Sequence, residues 1–177
     1  MIYGDGLRLR AVERSDLPRF VQWLNDPEVT AGLMQNLPLS LLSEEQWFET
    51  MIKRPQEEQT LVIEIQDGQE WKPVGDCGFH EIDWKSRSAS VGIFIGEKSY
   101  WSQGYGTQVM RLLLRIGFEK LNLNRVALEV FENNPRAIRA YEKAGFVHEG
   151  RRRQGIYKNG QYLDILLMSV IRSEWQE

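Results

Sequence analysis

The chain has 177 residues, 42% hydrophobic and 27% charged, with a net charge of −3. One domain spanning residues 1–177 and built around a sizeable core is expected. The single cysteine, Cys77, excludes an internal disulfide and offers no metal cluster; no run approaches the ~18 apolar residues of a membrane span. The start, "MIYGDGLRLR", has no apolar signal core, so a cytoplasmic location is expected. Charge is unevenly spread. Residues 1–80 hold 7 basic and 14 acidic side chains, and residues 81–177 hold 15 and 11. An acidic first half suits a cationic partner and a basic second half an anionic one, unless these charges simply cover solvated faces.

In chain order, "LRLRAV" (7–12) alternates and predicts a strand. Ser15 is placed to cap a helix with Pro18 in its first turn and Phe20, Val21 and Leu24 on one side. "LSEEQWFETMIK" pairs Ser43 with Gln46 as a capping box for a second helix. "QTLVIEIQ" (59–66) predicts a strand, and the runs on either side of Trp84–Arg87 predict paired strands. A long helix is expected from about Gly106, with Val109, Leu112, Leu113, Ile116 and Leu121 inward. "NRVALEVF" (124–131) alternates as a strand, and a short helix runs from Pro135 to Gly145. Lys158-Asn159-Gly160-Gln161 predicts a hairpin turn before a last strand. This order gives a mixed α/β domain.

Gly104 and Gly106 sit where the long helix begins, in "YWSQGYGTQVM". A helix N-terminus carries unpaired N–H groups and partial positive charge. Glycines before it let an anion approach those groups, so strand, Gly-x-Gly, helix describes a pyrophosphate site. Position 109 is Val, which excludes a dinucleotide fingerprint, and no Gly-Lys-Ser/Thr follows, which excludes a P-loop.

Two separated motifs carry a family resemblance. Trp101-Ser-Gln-Gly104-Tyr-Gly106 resembles the Gln/Arg-x-x-Gly-x-Gly/Ala acyl-CoA loop of the GNAT N-acetyltransferase superfamily, with Trp101 departing at the first position. "NPRAIRAYEKAGF" (134–146) resembles a helix signature of the same family. "LRLRAVERSDLPRFVQWLNDPEV" adds likeness to its ribosomal-protein N-terminal and spermidine acetyltransferase branch. The resemblance implies a mostly antiparallel twisted sheet with a splayed strand pair, flanked by helices. It also implies acetyl-CoA as co-substrate, no metal, and self-association.

The implied reaction moves acetyl from a thioester to a primary amine. By resemblance, backbone groups of Phe94, Ile95 and Gly96 meet the pantetheine arm and polarise the carbonyl. Amides from Gln103, Gly104, Tyr105, Gly106 and Thr107 meet the diphosphate, and Asn134 caps its helix or bonds the cofactor arm. Tyr141 is the implied leaving-group acid, although its reference pKa of ~10 exceeds the ~8.5 of a thiol, which favours hydrogen bonding over full transfer. Glu81, or less favourably His80, is the candidate base for the amine. Glu28, Glu44, Glu45 and Glu49 are the candidate acceptor contacts, with Glu44 and Glu45 also suited to a helix first turn. Acceptors in view are a polyamine or small cationic amine, a protein N-terminus, and an amino sugar. The aromatic residues show no basic interleaving, so no nucleic-acid partner is expected. Trp101 favours the alternative of a non-catalytic acyl-CoA-binding or interaction module on the same fold.

Overall fold

In a computed structural model describing residues 1–176, eight strands follow the order β1-β2-β3-β4-β5-β6-β8-β7. The strands are β1 (Ile2–Tyr3), β2 (Leu7–Ala11), β3 (Leu61–Asp67), β4 (Glu70–Asp83), β5 (Ser88–Ile95), β6 (Arg125–Phe131), β7 (Val147–Lys158) and β8 (Gln161–Ile171). The helices are α1 (Leu17–Leu24), α2 (Pro27–Thr30), α3 (Leu41–Met51), α4 (Tyr105–Arg115) and α5 (Pro135–Ala144). The β5–β6 pair is parallel, and the other registers describe antiparallel pairs. Two compact units divide the chain: Met1–Gly78 with Ile93–Tyr105, and Phe79–Gly92 with the chain from Gly106 onward.

In the first unit, β2 turns Leu7 and Leu9 inward by simple alternation. Helices α1 and α3 pack over the other face, that of Val62, which pairs with Arg10: Leu17, Phe20 and Trp23 pack there with Phe48 and Met51. Ser15 does not cap α1. It lies inside a 3-10 turn, Arg14–Asp16, closed by the Asp16 carboxylate, which accepts the Glu13 N–H at 2.9 Å and the Arg10 guanidinium at 2.7 Å. Nor is Ser43 the cap of α3. Ser40 Oγ accepts the Ser43 N–H at 3.0 Å, so the helix begins at Leu41 and Glu44 falls inside its first turn. Both predictions missed because neighbouring polar residues offered two plausible caps each.

Strand β4 is bulged. Ile63 pairs with Gly75, but Glu64 pairs with Pro73, which leaves Val74 as the extra residue. Proline has no N–H for a ladder, so a bulge is where a strand can hold one. The freed Val74 carbonyl accepts two amides from the end of β5, Gly96 N–H at 2.8 Å and Glu97 N–H at 3.0 Å.

In the second unit, α4 buries Val109, Met110, Leu112, Leu113 and Leu114. Its tail, Ile116–Lys120, winds as a π turn. A π turn takes an extra residue, which rotates the inward face. Phe118 and Leu123 are therefore buried, whereas the expected core residue Leu121 is only half-buried. Asn159 and Gly160 have φ of 49° and 84°, the left-handed pair of a tight hairpin between β7 and β8. Strand β7 ends the sheet order and is almost wholly exposed. Its Arg151 pairs with Asp164 at 2.8 Å and its Arg152 with Glu129, so the arginine run is an ion-paired sheet edge.

Candidate active site

The β5–β6 ladder covers Ser88–Ser90 against Arg125–Ala127 and stops there. Both strands continue, β5 to Ile95 and β6 to Phe131, without further mutual register. Past Ser90 the β6-facing edge of β5 therefore lacks a strand partner. An unpaired strand edge is a place where another chain of amide groups can add. Near the end of β5, Ile95 O accepts the Trp101 indole N–H at 2.7 Å, and on the β4 side Gly96 N–H donates to Val74.

Trp101 thus has a place. Its ring packs beside the α1–α3 core, and its indole N–H fastens the start of the glycine loop to the end of β5. A Gln or Arg reaching for phosphate is replaced by a structural anchor. Upstream, Lys98 lies 2.8 Å from both Asp26 and Glu28, and hydrogen bonds to these two carboxylates raise its pKa. Glu28 is therefore the partner of an internal lysine rather than an isolated anion. Gln103 Nε2 donates to the Ser99 carbonyl at 2.5 Å, so its side chain tightens the loop.

The loop then turns through two left-handed residues, Ser102 at φ 61° and Gly104 at φ 89°. Such residues before a helix gather successive N–H groups on one side. The first amides of α4, from Tyr105, Gly106 and Thr107, have no intrahelical partner by helix geometry. A Cβ added at Gly104 would meet nothing within 4 Å; one at Gly106 would lie 3.8 Å from Ala140 Cβ. Farther into the first turn, Gln108 Oε1 is buried without a hydrogen-bond partner among the described residues. Open space and converging donors fit an extended anionic ligand.

The two glycines are consequently not equivalent. Gly104→Ala places a Cβ on a left-handed backbone, with an expected stability cost of about 1 kcal/mol and weaker acetyl-CoA binding. Gly106→Ala is an ordinary contact and should leave both nearly unchanged. Denaturant unfolding and titration calorimetry of the two variants check this; equal losses would contradict it.

In the second unit, Thr107 Oγ1 donates to the Ala140 carbonyl at 3.2 Å, tying the start of α4 to the residue before Tyr141. Asn134 Oδ1 caps α5 by accepting the Ala137 N–H at 3.2 Å. Gly106, Thr107, Asn134 and Tyr141 are thereby held on two helices in contact. Burial pushes the Tyr141 phenol up to about 12, with the Arg136 charge opposing. The phenol therefore stays protonated at neutral pH. The gap to a thiol widens, so its chemistry is hydrogen-bond donation to developing charge, not full proton transfer. Glu81 is exposed, at φ 54°, and its Oε2 accepts from Ser90 Oγ at 3.3 Å.

The remaining acids separate by environment. Glu49 pairs with Arg14, and Glu45 is half-buried on α3. Glu44 instead lines a cavity of about 380 Å³ within the first unit, together with Leu24, Leu39, Trp47, Thr60 and Asp76. Glu44 is only 4% exposed. Burial pushes Glu44 up to about 6; burial together with the Glu44 charge pushes Asp76 up to about 8. Asp76 was not among the sequence candidates. The available signal was its register: it pairs with core Val62, so its side chain takes the core face of β4.

Residues 6–147 match the family model described as an acetyltransferase (GNAT) domain. The chain is 29% identical to the "Uncharacterized N-acetyltransferase p20" of Bacillus licheniformis, across 98% of this chain and 97% of that one. It is 30% identical to a spermidine N(1)-acetyltransferase of Vibrio cholerae, across 96% and 95%. A crystal structure of spermidine N-acetyltransferase from Vibrio cholerae in complex with CoA and spermine superposes with a TM-score of 0.87 at 27% identity, covering 97% of this chain and 98% of that one. No helix among the described residues is long and apolar enough to cross a membrane.

Proposed function

The chain belongs to the GNAT acetyltransferase family, and from that premise we propose that it moves acetyl from acetyl-CoA directly to a primary amine on a polyamine or other small alkyl cation. The acidic cavity of the first unit carries this reading. Its Leu24, Leu39 and Trp47 suit alkyl segments, while Glu44 and Asp76 suit an ammonium group. Acetyl-CoA supplies an activated acyl group, its diphosphate at the Gly104–Thr107 turn and its thioester along the Phe94–Gly96 end of β5. Main-chain donors at both places need no reorganisation as charge develops. Tyr141 donates its O–H to the departing sulfur.

A panel assay tests the substrate class by following thiol release with acetyl-CoA and checking product mass. Spermidine and 1,4-diaminobutane are expected to exceed a peptide N-terminus by about tenfold in kcat/KM, as one well-placed charge contact provides. A peptide preferred over every alkylamine would replace this reading with protein N-terminal acetylation. The exposed Met34, Leu37, Leu41 and Leu42, at and before the start of α3, offer apolar contacts for that case.

A further inference from the structure

The expected base, Glu81, is exposed and carries no environment suited to holding an amine. A different group is better placed. Asp76 follows Gly75, and Gly75 lies so close to β5 that an added Cβ would be 2.0 Å from the Phe94 carbonyl and 2.8 Å from Ile95 Cα. This is the stretch along which the proposed function seats the thioester. Asp76 lines the cavity of the first unit together with Glu44, which is only 4% exposed.

We propose that Asp76, set against Glu44, is the group that takes the proton from the acceptor's ammonium before attack. The assignment rests on the amine-acetylation reading above. An N–H bond of the ammonium breaks and its proton passes to the carboxylate. The freed nitrogen lone pair forms the bond to the acyl carbon, and the carbon–sulfur bond breaks with its electron pair on sulfur. The second proton of the nitrogen neutralises the thiolate, and the carboxyl returns its proton to solvent.

Two coupled carboxyls lining one cavity titrate as a pair, one proton being shared across neutral pH. The pair then bears a single negative charge, the match for one ammonium. An alkylamine is neutral only about once in 10³ molecules at pH 7, so a proton acceptor at this point has work to do. Among the described residues lining the cavity, Glu44 and Asp76 are the ionisable ones, and Cys77, next along β4, is the other group coupled to Asp76. Because burial and the Glu44 charge push Asp76 up to about 8, turnover of an alkylamine should climb as pH rises through that region.

The test compares two primary amines of different basicity. For 1,4-diaminobutane, Asp76→Asn is expected to lower kcat/KM about 30-fold, within the range of a lost general base. For 2,2,2-trifluoroethylamine, which its fluorines keep neutral at pH 7, the same variant should lose less than about threefold. A merely structural role would depress both equally, and that result, or no loss with either amine, overturns the assignment. Glu44→Gln removes the charge that keeps Asp76 protonated, so the alkaline rise with 1,4-diaminobutane should move to lower pH. An unmoved rise counts against the pair even if Asp76→Asn fails to fold. If the wild-type protein releases no thiol with any amine, the acetylation reading itself falls, an outcome distinct from a variant that behaves like wild type.

Discussion

Replacing Tyr141 by phenylalanine is expected to lower kcat about 10²-fold, the cost of removing one donor aimed at developing charge. Acetyl-CoA affinity should stay within about twofold, because such a donor acts in the transition state and not in ground-state binding. The variant keeps the ring that sits 6.2 Å from Phe146, and it leaves the Thr107–Ala140 bond and the Asn134 cap untouched. Folding should therefore be preserved. Single-turnover thiol release measures the chemical step apart from product release. An unchanged rate in that measurement would remove Tyr141 from the reaction. Since burial pushes the phenol up to about 12, no loss of activity below about pH 10 should be traceable to it.

Gly75→Ala is expected to be the most damaging single methyl in the first unit. The added carbon would stand 2.0 Å from the Phe94 oxygen, 2.8 Å from Ile95 Cα and 3.0 Å from the Phe94 carbonyl carbon. All three are main-chain atoms, so no side chain can swing aside. Either β5 is displaced or the bulge at Val74 is undone, and the expected cost is about 3 kcal/mol. Chemical denaturation measures it. A midpoint equal to wild type would mean that the two backbones are not so close. Gly78, on the same strand, is a control: its added Cβ would make only ordinary contacts, 3.5 Å at the nearest.

Much of this could be read from the chain because local pattern and tertiary demand agreed. Helix α4 announces itself by apolar spacing at Val109, Leu112 and Leu113, and α5 by its Asn134 cap and its Gly145 end at φ 105°. The spacing misled only at Leu121, where the π turn changes the period that the pattern assumes. The glycine loop was legible as a motif, but the different needs of Gly104 and Gly106 were not, since φ and the distance to Ala140 are not written in letters. Trp101 looked like a lost phosphate contact until Ile95 appeared as its acceptor. The acids were least legible. Glu28, Glu44, Glu45 and Glu49 look alike in sequence. Only the fold pairs Glu28 with Lys98 and Glu49 with Arg14 and sends Glu44 to meet Asp76, 32 positions away along the chain. Ionic character comes from residue type, whereas the company a charge keeps comes from long-range topology.

The kink at the middle of β4 has one more implication. The oxygen that receives Gly96 and Glu97 belongs to the main chain, so any amino acid at position 74 would present it. Heredity cannot readily tune that docking point by changing the side chain there. It can do so through Pro73, whose missing hydrogen frustrates regular pairing at that step of the sheet. The direction in which β5 leaves the sheet, and with it the path toward the glycine turn, is thus inherited largely through the residue beside the docking point.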